Sequence, residues 1–146
     1  MQLLLTAVFL ATLLQVQAQL TESQQAVQQT VIKIFDALSN RDSVSLKKYA
    51  APDILLFEYG MTWTIDTLIM KAITLNQAVD FKRINKIDFI NTVINGNTAW
   101  ATYNLNSEIT RDTRHTTIQW LETVVLVKAK TGWKVKVLHS SLIKRN

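Results

Sequence analysis

Cysteine is absent from all 146 residues, which excludes disulfides, thiolate nucleophiles and lipid anchoring at a cysteine. Glycine is nearly as scarce: Gly60, Gly96 and Gly132 stand too far apart for a dinucleotide-binding, P-loop or serine-hydrolase glycine motif. A single proline, Pro52, and the lack of repeats or low-complexity runs leave no internal linker, so one domain is expected. Only two histidines occur, His115 and His139, with no short ligand spacing, so no metal site is expected. His115, in a polar turn beside Arg114, reads as solvated. The formal charge is +5. Its lysines and arginines are scattered in pairs (Lys47 and Lys48, Lys82 and Arg83, Lys134 and Lys136, Lys144 and Arg145) without a basic stripe, which argues against nucleic acid and for solvated faces.

What is present begins with an uncharged segment. Leu3 to Leu14 is almost wholly apolar, Gln15 and Gln17 follow, and Val16 and Ala18 stand where small residues precede a cleavage site. The run is shorter than the roughly 20 residues that span a bilayer. Residues 1–18 therefore read as a signal peptide, although no Lys or Arg precedes the apolar run. The expectation is an exported protein, periplasmic or secreted, with no stable membrane anchor after cleavage. The remaining residues 19–146 are enough for one core, since a domain of this size buries roughly two thirds of its unfolded surface.

Apolar periodicity then orders the chain. Val27, Val31, Ile34, Phe35 and Leu38 recur at helical spacing behind Thr21 and Gln24, a capping-box pair, predicting a helix over Ser23–Ser39. A short helix over Ser43–Ala50 follows, capped by Asp42 and stopped by Pro52. Ile54–Tyr59 and Met61–Trp63 read as a short hairpin, and Ile65–Gln77 as a third helix with Thr64 as its cap. From Phe81 the pattern is β: Ile84–Ile94 with a bulge, a turn at Asn95-Gly96, then Thr98–Ile109, Thr116–Lys128, a turn at Thr131-Gly132, and Trp133–Ile143. Helices first and a meander after predict α+β.

Three stretches carry a family resemblance: A-L-S-N-R-D-S-V-S-L-K-K-Y-A-A-P-D (Ala37–Asp53), N-G-N-T-A-W-A-T-Y (Asn95–Tyr103) and T-G-W-K-V-K-V-L-H-S-S (Thr131–Ser141). Together with the element order they resemble the nuclear transport factor 2-like superfamily, with its SnoaL-like cyclases and ketosteroid isomerases. The resemblance implies a cone, in which a curved antiparallel sheet wraps the N-terminal helices around a mostly apolar cavity. It also implies a homodimer through the outer sheet face, and acid/base groups inside the cavity. Several relatives carry a His-x-His pair on the last strand. Here Val137 holds the earlier position, and no residue matches the isomerases' general base.

A two-residue turn at Thr131-Gly132 pairs Val124 with His139, Glu122 with Ser141 and Trp120 with Ile143. Alternation then places Trp120, Glu122, Val124, Leu126, Trp133, Val135, Val137 and His139 on one face, taken as concave. His139 and Glu122 become the candidate acid/base pair, against a structural role for each. Trp120 and Trp63 are either pocket wall or core, while Trp133 reads as core. Tyr59 and Tyr103 are either hydroxyl donors to a ligand or phenols satisfied by the backbone. Asp53 reads as a turn-forming acid beside Pro52. Two functions remain open: a cavity that takes a small, mostly apolar molecule, with cofactor-free isomerase, cyclase or dehydratase chemistry, or a non-catalytic module whose cavity is filled by its own side chains.

Overall fold

The computed structural model describes residues 19–146, so the expected signal peptide lies outside the described residues. The first helix, α1 (Glu22–Ser39), begins at the expected capping box: Thr21 accepts from the Gln24 amide, and the Gln24 side chain accepts from the Thr21 amide. Its stripe, Val27, Val31, Ile34, Phe35 and Leu38, is buried. A second helix, α2 (Ser43–Tyr49), starts at Asp42, whose carboxylate accepts from the Val44 and Ser45 amides.

Strands β1 (Ala50–Glu58) and β2 (Met61–Trp63) form the short hairpin, turned by Tyr59 and Gly60, both at positive φ. The expected third helix is interrupted. It is α-helical only over α3 (Ile65–Ile69), then continues as a π-helical turn, Met70–Thr74. Four long strands follow: β3 (Lys82–Asn95), β4 (Thr98–Arg111), β5 (Arg114–Ala129) and β6 (Gly132–Arg145).

The sheet order is β2-β1-β6-β5-β4-β3. The sheet is mixed rather than wholly antiparallel, because β1 runs parallel to β6. These two strands are separated in sequence by α3 and the meander, so no hairpin signal announces their pairing. Helix α1 lies across the inner face against β3, β4 and β6. The core between them includes Val27, Leu46, Tyr103, Val124, Leu126 and Val135, all at 1 % exposure or less.

Register on the last strand departs from expectation. The β5–β6 turn is Lys130-Thr131, closed by Ala129 opposite Gly132. Leu126 faces Val135, but Val125 faces Val137, leaving Lys136 as an extra residue in β6. One extra residue reverses the facing of everything after it. The irregularity is shared with the neighbouring strand: β1 also breaks register between Ala50 and Leu55, where Pro52 has no ladder donor to give, and Lys136 pairs there with Asp53.

Candidate functional site

Bulging of β6 decides which side chains meet inside the cone. Before Lys136, Trp133 and Val135 point inward as expected; beyond it, Leu138 and Ser140 are buried and His139 is exposed. His139 therefore stands on the convex face, 6.4 Å from the Phe57 ring, and not in the cavity. Val137 is displaced outward with it. Strand β5 keeps the expected facing: Trp120, Glu122, Val124 and Leu126 are all buried.

A cavity of about 270 Å³ opens between the sheet and the helices. Its walls are mostly apolar, with Phe35, Leu56, Leu105, Ile118 and Leu138 among them. Glu122 stands in this wall, 4 % exposed. Ser140, across the β5–β6 ladder, donates to Glu122 Oε1 at 2.8 Å, while Oε2 has no hydrogen-bond partner among the described residues. Burial pushes the Glu122 pKa from 4.5 up to about 7, and Glu58 adds to the rise; the Tyr103 and Ser140 hydroxyls and Arg83 oppose it. A carboxyl poised between its two forms near neutral pH can both give and take a proton.

The other expected site residues divide. Trp120 lines the cavity with its indole Nε1 unpartnered. Trp63 and Tyr59 stand at the mouth, their rings 6.4 Å apart. Tyr103 is wholly buried among Phe35 and Phe89. Its hydroxyl lies near enough to Glu122 for the two to influence each other's ionisation, yet makes no hydrogen bond. Burial, reinforced by Glu122, holds the Tyr103 phenol protonated well above its ordinary range.

Four more charged residues line the site unannounced by any motif: Glu58, Lys71, Arg83 and Arg145. Arg83 looked like half of a solvated Lys-Arg pair. In the fold it shares inward facing with Asn85, Ile87 and Phe89, so strand alternation was the available signal. Its guanidinium is held by Nε donating to Asn85 Oδ1 at 2.9 Å and Nη2 to Ser107 Oγ at 3.2 Å, and it lies over the Phe35 and Trp120 rings. Burial draws Arg83 below its ordinary pKa, with Glu122 and Glu58 opposing. Glu58, half-buried at the end of β1, is raised by burial while Arg83 and Arg145 oppose. Arg145 donates to the Tyr59 hydroxyl. A second register shift, between Gln119 and Trp120, brings Arg145 opposite Ile118 at the mouth, which alternation alone does not foretell.

The sequence model of the SnoaL-like domain matches residues 27–144. The chain belongs to this family. No curated protein matches it. Solved structures with the same fold include a conserved protein from Planctomyces limnophilus, 13 % identical, with a TM-score of 0.73 over 82 % of this chain and 96 % of that one. A ketosteroid isomerase-like protein from Erwinia carotovora is 18 % identical, with a TM-score of 0.68 over 86 % and 99 %. The CaMKII hub of S. rosetta is 23 % identical, with a TM-score of 0.69 over 86 % and 100 %. At these identities the likeness is one of fold, and the same fold serves proteins named for enzymes and for hubs. In this SnoaL-like domain no cluster of three or more candidate ligands is placed to hold a metal among the described residues, and no described helix is long and apolar enough to cross a membrane.

Proposed function

We propose that this SnoaL-like domain binds a small, mostly apolar molecule in the cone, with Glu122 as the group positioned to move a proton on it. The observation that carries the proposal is one buried carboxyl in the wall of a mostly apolar cavity, Glu122, whose Oε2 makes no hydrogen bond among the described residues although the Tyr103 hydroxyl lies nearby. Leaving such an atom unpartnered costs about 1–3 kcal/mol, and a ligand hydroxyl or carbonyl would remove that cost. The volume suits a molecule smaller than a typical drug, since drug-sized pockets run from about 300 Å³ upward. The chemistry within reach is proton transfer of the isomerase, cyclase or dehydratase kind, and it calls for no cofactor. His139 has no part in it. A metabolite panel screened by thermal shift tests the proposal. A true ligand at one hundred times its Kd should stabilise the fold by about 2.7 kcal/mol. Ala72→Phe, which fills the cavity from the π-helical turn, should abolish the shift while leaving the fold intact. A panel without hits, or hits that shift the variant equally, would rule the cavity out as a binding site.

A second role rests on a different surface. Leu55, Val137, Val125, Trp100 and Val93 are cross-strand neighbours in one row over the convex face. Leu55 and Trp100 are 41 % and 36 % exposed, and Phe57 extends the patch. Such a row on a sheet face favours pairing with a second copy. The hub-named relatives share the fold. Light scattering should find a dimer at micromolar concentration, converted to monomer by Trp100→Glu. A wild-type monomer would refute self-association.

A further inference from the structure

We infer that the molecule taken by the cone is a small aromatic or alicyclic carboxylic acid, bound as its anion at Arg83; this rests on the cavity proposed above as a binding site. The cavity contains two guanidinium groups and two carboxyl groups, yet none of the ion pairs among the described residues involves Arg83, Arg145, Glu58 or Glu122. A cation withdrawn from water without a direct counter-ion is costly, and an arriving anion relieves that cost. Arg83 is fixed for such a partner. Asn85 and Ser107 hold one edge of its guanidinium, Asn85 is in turn held by Ser39, and Nη1 makes no hydrogen bond to a described residue. The planar fork matches a carboxylate, and the rings of Phe35 and Trp120 beneath it give an aromatic body a surface to lie on. Trp120 Nε1, near the Tyr59 hydroxyl but without a hydrogen bond among the described residues, is a second donor in the same wall.

The entrance agrees in sign. A second depression shares Ile109, Ile118 and Arg145 with the mouth and carries Arg111 and Arg114 against Asp112. Lys71, over the Trp63 ring, adds another positive charge at the mouth. This surplus raises the local concentration of anions. A dianion such as a phosphate monoester fits poorly, because Glu58 shares the cavity with Arg83 and Arg145 and is near enough for both to act on it, so a second negative charge would meet its repulsion.

Glu122 makes the binding proton-linked. The groups facing it are Glu58 from β1, Arg83 from β3, Tyr103 from β4 and Ser140 from β6. Tyr103 and Ser140 carry no charge, so the protonation of Glu122, with a smaller part from Glu58, sets the local balance against Arg83. Neutral Glu122 leaves Arg83 free for the ligand and can donate from Oε2 to its carboxylate; ionised Glu122 repels it. Affinity for acids should therefore fall as pH rises through neutrality.

Matched probes separate the possibilities. Benzoate and benzamide, and cyclohexanecarboxylate and its amide, would be titrated calorimetrically into the purified full-length chain at pH 6 and pH 8. The acids should bind at least about tenfold tighter than the amides at pH 6, the worth of a charge-assisted contact. That preference should shrink at pH 8. Arg83→Gln should erase it, and Arg145→Gln should weaken it, which keeps the test decisive if the first variant does not fold. Glu122→Gln should lose most of the difference in acid affinity between the two pH values, with Glu58 leaving a smaller remainder of the same sign. Amides binding as well as acids would overturn the anion assignment and leave the cavity as a site for neutral molecules. No binding of any probe up to about millimolar concentration would overturn both.

Discussion

Replacing Glu122 with glutamine should make the protein more stable at pH 8, not less. In the unfolded chain Glu122 titrates near 4.5; in the fold burial raises it to about 7. Between those values the native state binds the extra proton, so stability falls as pH rises through the window. The contribution is complete below pH 4.5 and lost above pH 7. A rise of that size corresponds to about 3 kcal/mol. For a domain of this length this is roughly 10 °C in melting temperature. Glutamine keeps an oxygen for the Ser140 hydroxyl and carries no charge to desolvate. The variant should therefore lose most of the decline. Glu58, also raised by burial, would leave a smaller slope of the same sign. Asp42, Asp53 and Asp80 are lowered by hydrogen bonds and act at more acidic pH with the opposite sign. Thermal melts of both proteins from pH 5 to pH 8 check this. Parallel slopes in the two would mean that Glu122 is already ionised in the native cavity.

The second large effect sets neighbours on β6 against each other. Leu138→Asp should prevent folding under ordinary conditions, while His139→Asp should change stability by no more than about 0.5 kcal/mol. Leu138 is 5 % exposed and packs opposite Val124, which is wholly buried. A carboxylate there would be buried without a partner, and the removed leucine would leave a void, each worth several kcal/mol. His139 faces solvent on the convex side. An unbulged strand would reverse the two outcomes, because Val137 and His139 would then be the inward residues. Soluble expression and circular dichroism of the pair distinguish the two facings.

Much of the architecture was legible. Thr21 with Gln24 announced the start of α1, Asp42 the start of α2, and the apolar stripe of α1 its buried face. These are local signals: a cap satisfies backbone groups within one turn, and a stripe follows from the helical period. The meander was legible because Gly96 and Gly132 mark its hairpins, both at positive φ. Each turn closes one residue away from the expected position, at Gly96-Asn97 and Lys130-Thr131. The facing of β5 was legible too, since Trp120, Val124 and Leu126 alternate with exposed partners.

The site was legible only in part. Glu122 could be placed because it shares the period of β5. His139 was misplaced because a bulge is a property of two strands at once. Nothing within T-G-W-K-V-K-V-L-H-S-S marks Lys136 as the extra residue; Pro52 and Asp53, some eighty positions earlier in the chain, do. Arg83 and Arg145 read as solvated charges because only the closed cone shows where strand ends converge.

By itself, then, the sequence determined the first two helices, the strands, their order and the concave face of β5, since each follows from caps, turns and periods spanning a few residues. The tertiary structure alone decided the parallel joining of β1 to β6, the bulge that turns His139 outward, and the gathering of Glu58, Arg83, Glu122 and Arg145 around one cavity. Those features depend on contacts between segments far apart in the chain, where no local period reaches.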